Sequence, residues 1–235
     1  MTAEDILAQL EALGTEQTRK TLMRHGAQEP VFGVRIGDMQ PLRKKIGKNR
    51  HLALELFATG NYDAMSFAGL IADETAMTKK DLQSWVDRGT TQPLCEATVS
   101  QITAETPHAR DLGLKWIRSK KEAVASTGWS TLASWVSITD DSQLDLEELE
   151  QLVAHVEKTI HDQPNRVRYC MNGFLACVGC YVPDLTARVL KAARVIGKVE
   201  VDMGDTACKV PSVSDIIQKV KTRGALGKKR KQARC

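Results

Sequence analysis

The chain has 235 residues, of which 42% are hydrophobic and 26% are charged. These proportions are ordinary for a folded globular protein, and a chain of this length can bury a core without disulfide or metal staples. No stretch approaches the roughly 20 apolar residues that a membrane span needs, and the first residues lack the basic start of a signal peptide. We therefore expect a cytoplasmic protein with no membrane partner.

The net charge of +4 is unevenly distributed along the chain. Eight of the 33 basic residues and no acidic residue lie from Lys219 onward, which leaves 25 basic against 29 acidic residues elsewhere. A basic end on a mildly acidic body suggests a polyanionic partner, and a merely solvated end is the alternative. We expect one domain over residues 1–220 and a basic, flexible tail over residues 221–235.

Apolar residues at helical spacing predict about a dozen helices in succession. Glycines such as Gly14, Gly26 and Gly47 follow several of them, where glycine commonly ends a helix. The predicted helices lie near residues 3–13, 15–25, 38–46, 52–60, 62–72, 78–86, 92–104, 107–117, 123–138, 146–160, 166–180, 183–196 and 214–220. Residues 197–211 do not follow a helical pattern, and part of this segment is expected to be extended.

Pairs of helices recur at a spacing of about 30–45 residues, near the length of HEAT-type repeats. The predicted helices 62–72 and 123–138 are apolar on more than one face, so they need neighbours on both sides. The sequence therefore predicts an all-α fold, a curved α–α superhelix (solenoid) of HEAT-like helical repeats. An irregular helical bundle is the alternative.

Several classes of enzyme site are missing from the sequence. It has no phosphate-binding glycine loop, no nucleophile elbow and no pair of histidines at metal-binding spacing. Cys177-x-x-Cys180 has no second cysteine pair at zinc-finger spacing, so we expect free thiols, Cys235 included. No cofactor and no metal are expected.

Clusters of basic residues indicate phosphate contacts. Arg166 and Arg168 lie in the first turn of a predicted helix, where the helix dipole disfavours cations. A bound anion would offset that cost, and pairing with nearby Asp162 or Glu157 is the alternative. The predicted nucleic-acid contacts are Lys115, Arg118, Lys120, Lys121, Arg166, Arg168, Lys228, Lys229, Arg230 and Lys231.

Two segments resemble the AlkD-type DNA alkylation-repair proteins: Gly33-Val-Arg-Ile-Gly-Asp-Met-Gln-Pro-Leu-Arg-Lys-Lys-Ile46 and Lys115-Trp-Ile-Arg-Ser119. Residues 164–169, 181–186, 197–211 and 227–235 resemble a distinct branch of that family. The resemblance implies HEAT-like repeats whose basic concave face holds duplex DNA. In the best-known members it also implies hydrolysis of the N-glycosidic bond of cationic alkylated purines.

The sequence departs from the family's glycosylase pattern. That pattern has a tryptophan followed four residues later by an aspartate, with a further tryptophan and arginines on later helices. A carboxylate stabilises the cationic sugar, and aromatic faces attract the cationic base. Here Cys95 takes the aspartate position, no tryptophan precedes it on that helix, and Ala176 takes the position of a later arginine. Glu96 is the candidate catalytic carboxylate, and an exposed helix residue is the alternative.

Two functions follow from the sequence and the resemblance. The first is a DNA-binding protein related to alkylation repair, with a non-standard glycosylase site at Glu96. The second is a non-catalytic helical-repeat scaffold that binds protein or nucleic acid. The expected partner is double-stranded DNA, with a protein partner as the alternative, and the chain is expected to be monomeric.

Overall fold

The computed structural model describes residues 1–89 and 91–234, and these residues form 13 α-helices and no strand. The helices are α1 (Ala3–Leu13), α2 (Glu16–Arg24), α3 (Ile36–Ile46), α4 (Arg50–Ala58), α5 (Tyr62–Ile71), α6 (Lys79–Arg88), α7 (Ser100–Ala104), α8 (Ala109–Trp116), α9 (Glu122–Ile138), α10 (Leu146–Thr159), α11 (Asn165–Tyr181), α12 (Pro183–Ile196) and α13 (Val213–Thr222). A π-helical segment, Leu94–Val99, leads directly into α7.

Polar side chains at the predicted positions begin several helices. Thr15 and Thr78 accept hydrogen bonds from backbone N–H groups in the first turns of α2 and α6, which confirms both predicted starts. The prediction was less accurate for α3, which begins at Ile36 rather than near Asp38, and for α8, which begins at Ala109 rather than Pro107.

The helices stack in two rows, and the fold is an all-α solenoid. We call α5, the π-helical segment with α7, α9, α11 and α13 the central row, since each contacts the next in space. The helices α4, α6, α8, α10 and α12 form a flanking row against it. Because the central helices alternate with flanking ones along the chain, they run in the same direction. Their amino ends therefore lie at one edge and their carbonyl ends at the other.

The hydrophobic core forms two clusters that meet within α9. One cluster extends from Ile6 to Val124 and the other from Ala125 to Ile217. Trp116 belongs to the first cluster and Trp129 to the second, and both are almost fully buried. α9 is thus the helix that joins the two halves of the repeat array.

Close approach of α8 to α9 depends on glycine. A Cβ atom on Gly128 would lie 2.6 Å from the backbone nitrogen of Ile117, and one on Gly113 would lie 2.7 Å from Leu132. Such distances are well inside van der Waals contact. The two glycines therefore set the short spacing between these helices.

The Gly33 motif is anchored on the amino end of α5 by Asp63. This buried carboxylate accepts hydrogen bonds from the backbone N–H groups of Phe32 (2.6 Å), Gly33 (3.1 Å) and Val34 (2.8 Å). Gly33 has a φ of +87°, and a Cβ atom there would lie 2.5 Å from the carbonyl oxygen of Thr15. The motif therefore has a structural role, because it fixes α2 and α3 on the central row.

The segment predicted to be a flexible tail lies against the body of the protein. α13 continues through Thr222, beyond the boundary expected at residue 220. Residues 224–234 then lie along the carbonyl edge of the central row, with hydrogen bonds to it from Gly227, Arg230 and Ala233. The difference has a physical cause, since carbonyl groups and carboxylates at that edge accept hydrogen bonds from the basic segment. The division into one domain and a tail stays a prediction.

In the described part of the chain, residues 1–89 and 91–234, no helix is both long and apolar enough to cross a membrane.

Replacing Asp63 by alanine is expected to lower the free energy of unfolding by about 3 kcal/mol, since three N–H groups lose a charged acceptor. Chemical denaturation of both proteins measures this difference. The exposed Asp162 offers a matched control, and Asp162→Ala should change stability by less than about 0.5 kcal/mol. Equal effects of the two substitutions would contradict the anchoring role of Asp63.

Candidate nucleic-acid interface

The amino ends of three central helices meet around Arg166. Its side chain reaches Glu96 in the π-helical segment, and its backbone N–H donates to the Glu122 carboxylate at 2.6 Å. Glu122 is the first residue of α9, and Arg166 lies in the first turn of α11. The structure therefore places Glu96 and Arg166, both predicted site residues, at one point of the amino edge.

Arg166 and Glu96 form a two-pronged ion pair. The Nε atom of Arg166 donates to Oε1 of Glu96 at 2.9 Å, and Nη2 donates to Oε2. The two side chains are only 13% and 11% exposed. The Arg166 guanidinium also lies over the ring of Tyr169, 4.4 Å from its centroid. Glu96 is therefore held against a cation and is not an exposed helix residue.

The π-helical segment that carries Glu96 was predicted as ordinary helix. A π-helical turn accommodates one more residue than an α-helical turn, which changes the side chains that face a neighbouring helix. Glu96 has neighbours on either side in Cys95, which is fully buried, and Ala97. The carboxylate of Glu96 thus projects from a π-helical turn towards Arg166 at the start of α11.

The thiols beside this ion pair are neutral at physiological pH. Burial raises the pKa of Cys95 to about 11, with Thr127 and Glu96 as lesser influences. Burial also raises the pKa of Cys170, and the negative charge of Glu96 adds to this effect. The position that the family's aspartate occupies therefore holds an uncharged group here.

Burial opposes the charge on Arg166, but its carboxylate partner outweighs that effect. Desolvation lowers the pKa of Arg166, whereas the hydrogen bonds and charge of Glu96 raise it, with a net increase. The arginine thus stays charged beside Glu96. The pair has almost no net charge, so it cannot stabilise a developing cation as a free carboxylate does.

Arg168 lines a cavity with a volume of about 1080 Å³. The cavity opens between α11, the end of α12 and residues 197–214, and Arg194, Lys198 and Lys209 also line it. Nη2 of Arg168 has a long 3.5 Å contact with Asn165, but its buried Nε has no hydrogen-bond partner among the described residues. Arg168 therefore contributes positive charge to the cavity, and its Nε, which is closed off from solvent, is not the atom that an anion there would meet.

Three of the predicted basic residues follow α8 and are exposed at the amino edge: Arg118, Lys120 and Lys121. Lys121 immediately precedes α9, whose first residue is Glu122. Lys115 lies earlier, on α8, and donates to the side chain of Gln83 at 2.8 Å. The connection between α8 and α9 thus adds exposed positive charge near Arg166 and Arg168.

The remaining predicted contacts lie at the opposite, carbonyl edge. Lys228, Arg230 and Lys231 are exposed there. Lys229 is largely enclosed, because its Nζ donates to the carbonyl of Val136 at 3.0 Å and pairs with Asp141 at 2.8 Å. The 17 residues of α9 separate the two edges by about 25 Å. The structure therefore divides the predicted basic residues into two groups.

Three of the four tryptophans and the Cys-x-x-Cys pair belong to the packing of the core, and Trp135 packs against it with part of its side chain exposed. Trp85 is buried and stacks on Phe57, with ring centroids 4.1 Å apart. Trp129 is 5.1 Å from Phe174. Burial, reinforced by Cys180, raises the pKa of the Cys177 thiol to about 12. Cys235 lies outside the described residues.

The fold and this edge define a class, the all-α helical-repeat proteins with a charged row of helix ends. The sequence pattern of the family described as DNA alkylation repair enzyme matches residues 6–198, and the chain belongs to that family.

Related proteins match almost the whole chain. A solved structure is described as belonging to a new family of proteins related to the HEAT-like repeat DNA glycosylases with affinity for branched DNA structures. It is 39% identical, with a TM-score of 0.93 and coverage of 100% of both chains. The uncharacterized protein Lin0241 of Listeria innocua is 31% identical over 229 residues, 95% of this chain and 99% of the relative. The uncharacterized protein Lmo0209 of Listeria monocytogenes is 30% identical over the same shares.

Sequence reasoning identified Glu96 and Arg166 but not their contact. Seventy residues separate them, and no local periodicity indicates which turn of one helix meets which turn of another. A signal was present in the two arginines at the start of α11, which lack an acidic residue in the same turn. That signal indicated an anion, and Glu96 supplies one for Arg166.

The double-mutant cycle of Glu96→Gln and Arg166→Gln is expected to give a coupling energy of about 2 kcal/mol, because the pair is largely removed from water. Thermal or chemical unfolding of the four proteins measures it. The exposed pair Lys79 and Asp111, with N···O at 2.7 Å, is a geometric control that should couple far more weakly. Similar coupling in both cycles would contradict a buried role for the Arg166–Glu96 pair.

Proposed function

We propose that this protein binds double-stranded DNA, with a preference for branched DNA, and does not cleave glycosidic bonds. The contacts are Arg168 and the exposed cations Arg118, Lys120 and Lys121 at the amino edge. Lys115, in the last turn of α8, is a further proposed DNA contact beside this group. Exposed cations at the carbonyl edge, Lys228, Arg230 and Lys231, form a second group.

The observation that carries the proposal is the enclosed ion pair of Arg166 and Glu96. A glycosylase needs a free carboxylate beside the sugar to stabilise positive charge in the transition state. Arg166 occupies both carboxylate oxygens of Glu96 and cancels its charge. In this proposal Arg166 binds Glu96 within the protein and not a DNA phosphate, which revises its predicted role as a nucleic-acid contact.

Two further observations support DNA binding without cleavage of the glycosidic bond. The solved relative at 39% identity has affinity for branched DNA structures by its description, and it matches this chain over its full length. Four basic residues line the cavity beside α11 and outnumber its two acidic ones, Glu200 and Asp202, so its charge favours a phosphate: Arg168, Arg194, Lys198 and Lys209. Central-helix dipoles also favour anions at the same edge. The proposed DNA-binding form is a monomer.

The alternative is a glycosylase for alkylated bases in which Glu96 acts after separating from Arg166. Membership of the DNA alkylation repair enzyme family favours it. Against it stand the neutral thiol of Cys95 and the burial of Trp85, Trp116 and Trp129 in the core. Of the tryptophans, this leaves the partly exposed Trp135 to offer an aromatic face to a cationic base.

Wild-type protein is expected to release no methylated base from methylated duplex DNA, and Glu96→Gln should behave identically. Chromatography of released bases measures this, with an active glycosylase as the control for the substrate. Release by wild type that falls in Glu96→Gln would support the alternative instead. Release by both proteins would also contradict the proposal, and it would exclude Glu96 as the catalytic carboxylate.

Arg168→Ala is expected to weaken duplex binding and to reduce the slope of log affinity against log salt by about 1, because one phosphate contact is lost. Fluorescence anisotropy at several salt concentrations measures both quantities. Lys191→Ala, an exposed cation on α12, removes the same charge elsewhere and should leave the slope unchanged. Equal effects would indicate general electrostatics only, and absence of wild-type binding at low salt would favour a protein partner.

A further inference from the structure

The C-terminal segment, residues 224–234, crosses the carbonyl ends of four central helices in turn. At α11, the N–H of Gly227 donates to the carbonyl of Cys180 at 2.8 Å. At α9, the N–H of Arg230 donates to the carbonyl of Ser137 at 2.8 Å. We call this segment the strap.

The strap continues to α7 and α5. At the end of α7, the N–H groups of Ala233 and Arg234 both donate to Oε1 of Glu105 at 2.8 Å. At the end of α5, Nη1 of Arg234 donates to the carbonyl oxygens of Gly69 at 3.0 Å and Ala72 at 2.8 Å. The strap thus connects the last part of the repeat array with α5, more than 160 residues earlier in the chain.

The helices that the strap crosses lack their own positive charge at this edge. A helix leaves its last carbonyl groups unpaired, and its dipole makes that end negative, so basic residues are favoured there. In the described chain, the last turns of α5, α7, α9 and α11 hold no basic residue. Of the flanking helices, α6, α8, α10 and α12 each hold one, and α4 holds none. The strap supplies the cations that these four central helices lack, whereas α13, the last of the row, holds Lys219 and Lys221 in its own last turn.

Arg234 is the anchor of the strap. Its residue is only 6% exposed, and besides the two carbonyls its guanidinium contacts Glu105 at 2.6 and 2.7 Å and Glu74 at 2.8 Å. A buried arginine is costly unless its donors are satisfied, and these contacts satisfy them. Ala233 beside it is fully buried. Two adjacent residues therefore fix the end of the strap.

We propose that the strap fixes the spacing of the central helices, with Arg234 as the positioning residue. In a solenoid each repeat contacts only its neighbours, so small changes of angle accumulate along the array. A segment joined to four helices at their carbonyl ends restrains that accumulation. The inference goes beyond the proposed function, because it concerns the shape of the array whether or not DNA is bound.

Hydrogen exchange of the wild-type protein gives the first test and needs no substitution. The amides of Gly227, Arg230, Ala233 and Arg234 should be protected to a degree similar to the helix ends they contact. Exchange of these four amides at the rate of an unstructured peptide would overturn the proposal.

Arg234→Gln gives the second test, with Lys231→Ala as the matched control, since each removes one positive charge from the strap and Lys231 is exposed. In Arg234→Gln we expect exchange at Gly227 and Arg230 to accelerate by at least about tenfold, because the restraint is cooperative. Small-angle scattering should give a larger radius of gyration. Arg234→Lys should be intermediate, since an ammonium cannot satisfy both carboxylates and both carbonyls at once.

Two results would overturn the proposal in the substituted proteins. One is faster exchange confined to Ala233 and Arg234, with an unchanged radius of gyration. The other is an equal response of Arg234→Gln and Lys231→Ala. Should Arg234→Gln lose its helical circular dichroism, Lys229→Met, which removes the contacts with Val136 and Asp141, replaces it with the same criteria. Hydrogen exchange and small-angle scattering test the role of the strap independently of DNA binding, so they remain informative even if the wild-type protein binds no DNA.

Discussion

The central helices all run in the same direction, and this arrangement produces two edges of opposite polarity. Each helix has the equivalent of about half a positive charge at its amino end and half a negative charge at its carbonyl end. A row of parallel helices aligns these charges instead of cancelling them. The amino edge therefore attracts anions, and the carbonyl edge requires cations from elsewhere in the chain.

Each edge carries side chains whose charge is opposite to that of the helix ends there. At the amino edge, Glu96 and Glu122 place carboxylates beside the start of α11, and Arg166 joins them. At the carbonyl edge, Arg234 satisfies the end of α5 and two carboxylates. Part of the positive charge at the end of the sequence, on Lys229 and Arg234, thus pairs with carbonyl groups and carboxylates of the fold. Its outward-facing lysines remain available to a polyanion.

The Arg166–Glu96 pair is the main reason for our proposal that this protein lacks the chemistry that its family name suggests. A free carboxylate and aromatic faces are what glycosidic cleavage of a cationic base requires. Here the carboxylate is paired, the adjacent thiol of Cys95 is neutral, and Trp129 is packed in the core. The fold and its basic surfaces persist, which is consistent with a scaffold whose use is DNA binding.

Local patterns predicted most of the fold, because the helices are amphipathic and begin and end at residues such as Thr15, Thr78 and Gly47. The π-helical segment escaped prediction since its residues follow an ordinary helical period, and its packing partners α5 and α9 are distant in sequence. The path of the strap escaped for another reason. Composition marks a basic segment as soluble, but whether it docks depends on carbonyl groups and carboxylates such as Glu105, which are distant in sequence.

The central claim is that this chain is a DNA-binding scaffold that recognises branched structure. The most direct measurement is a competition between a four-way DNA junction and a linear duplex of the same arm sequence and total length, at fixed salt, with wild-type protein. The account predicts that the junction binds roughly tenfold more tightly, a difference of about 1.4 kcal/mol. Equal affinity for the two DNAs would contradict it.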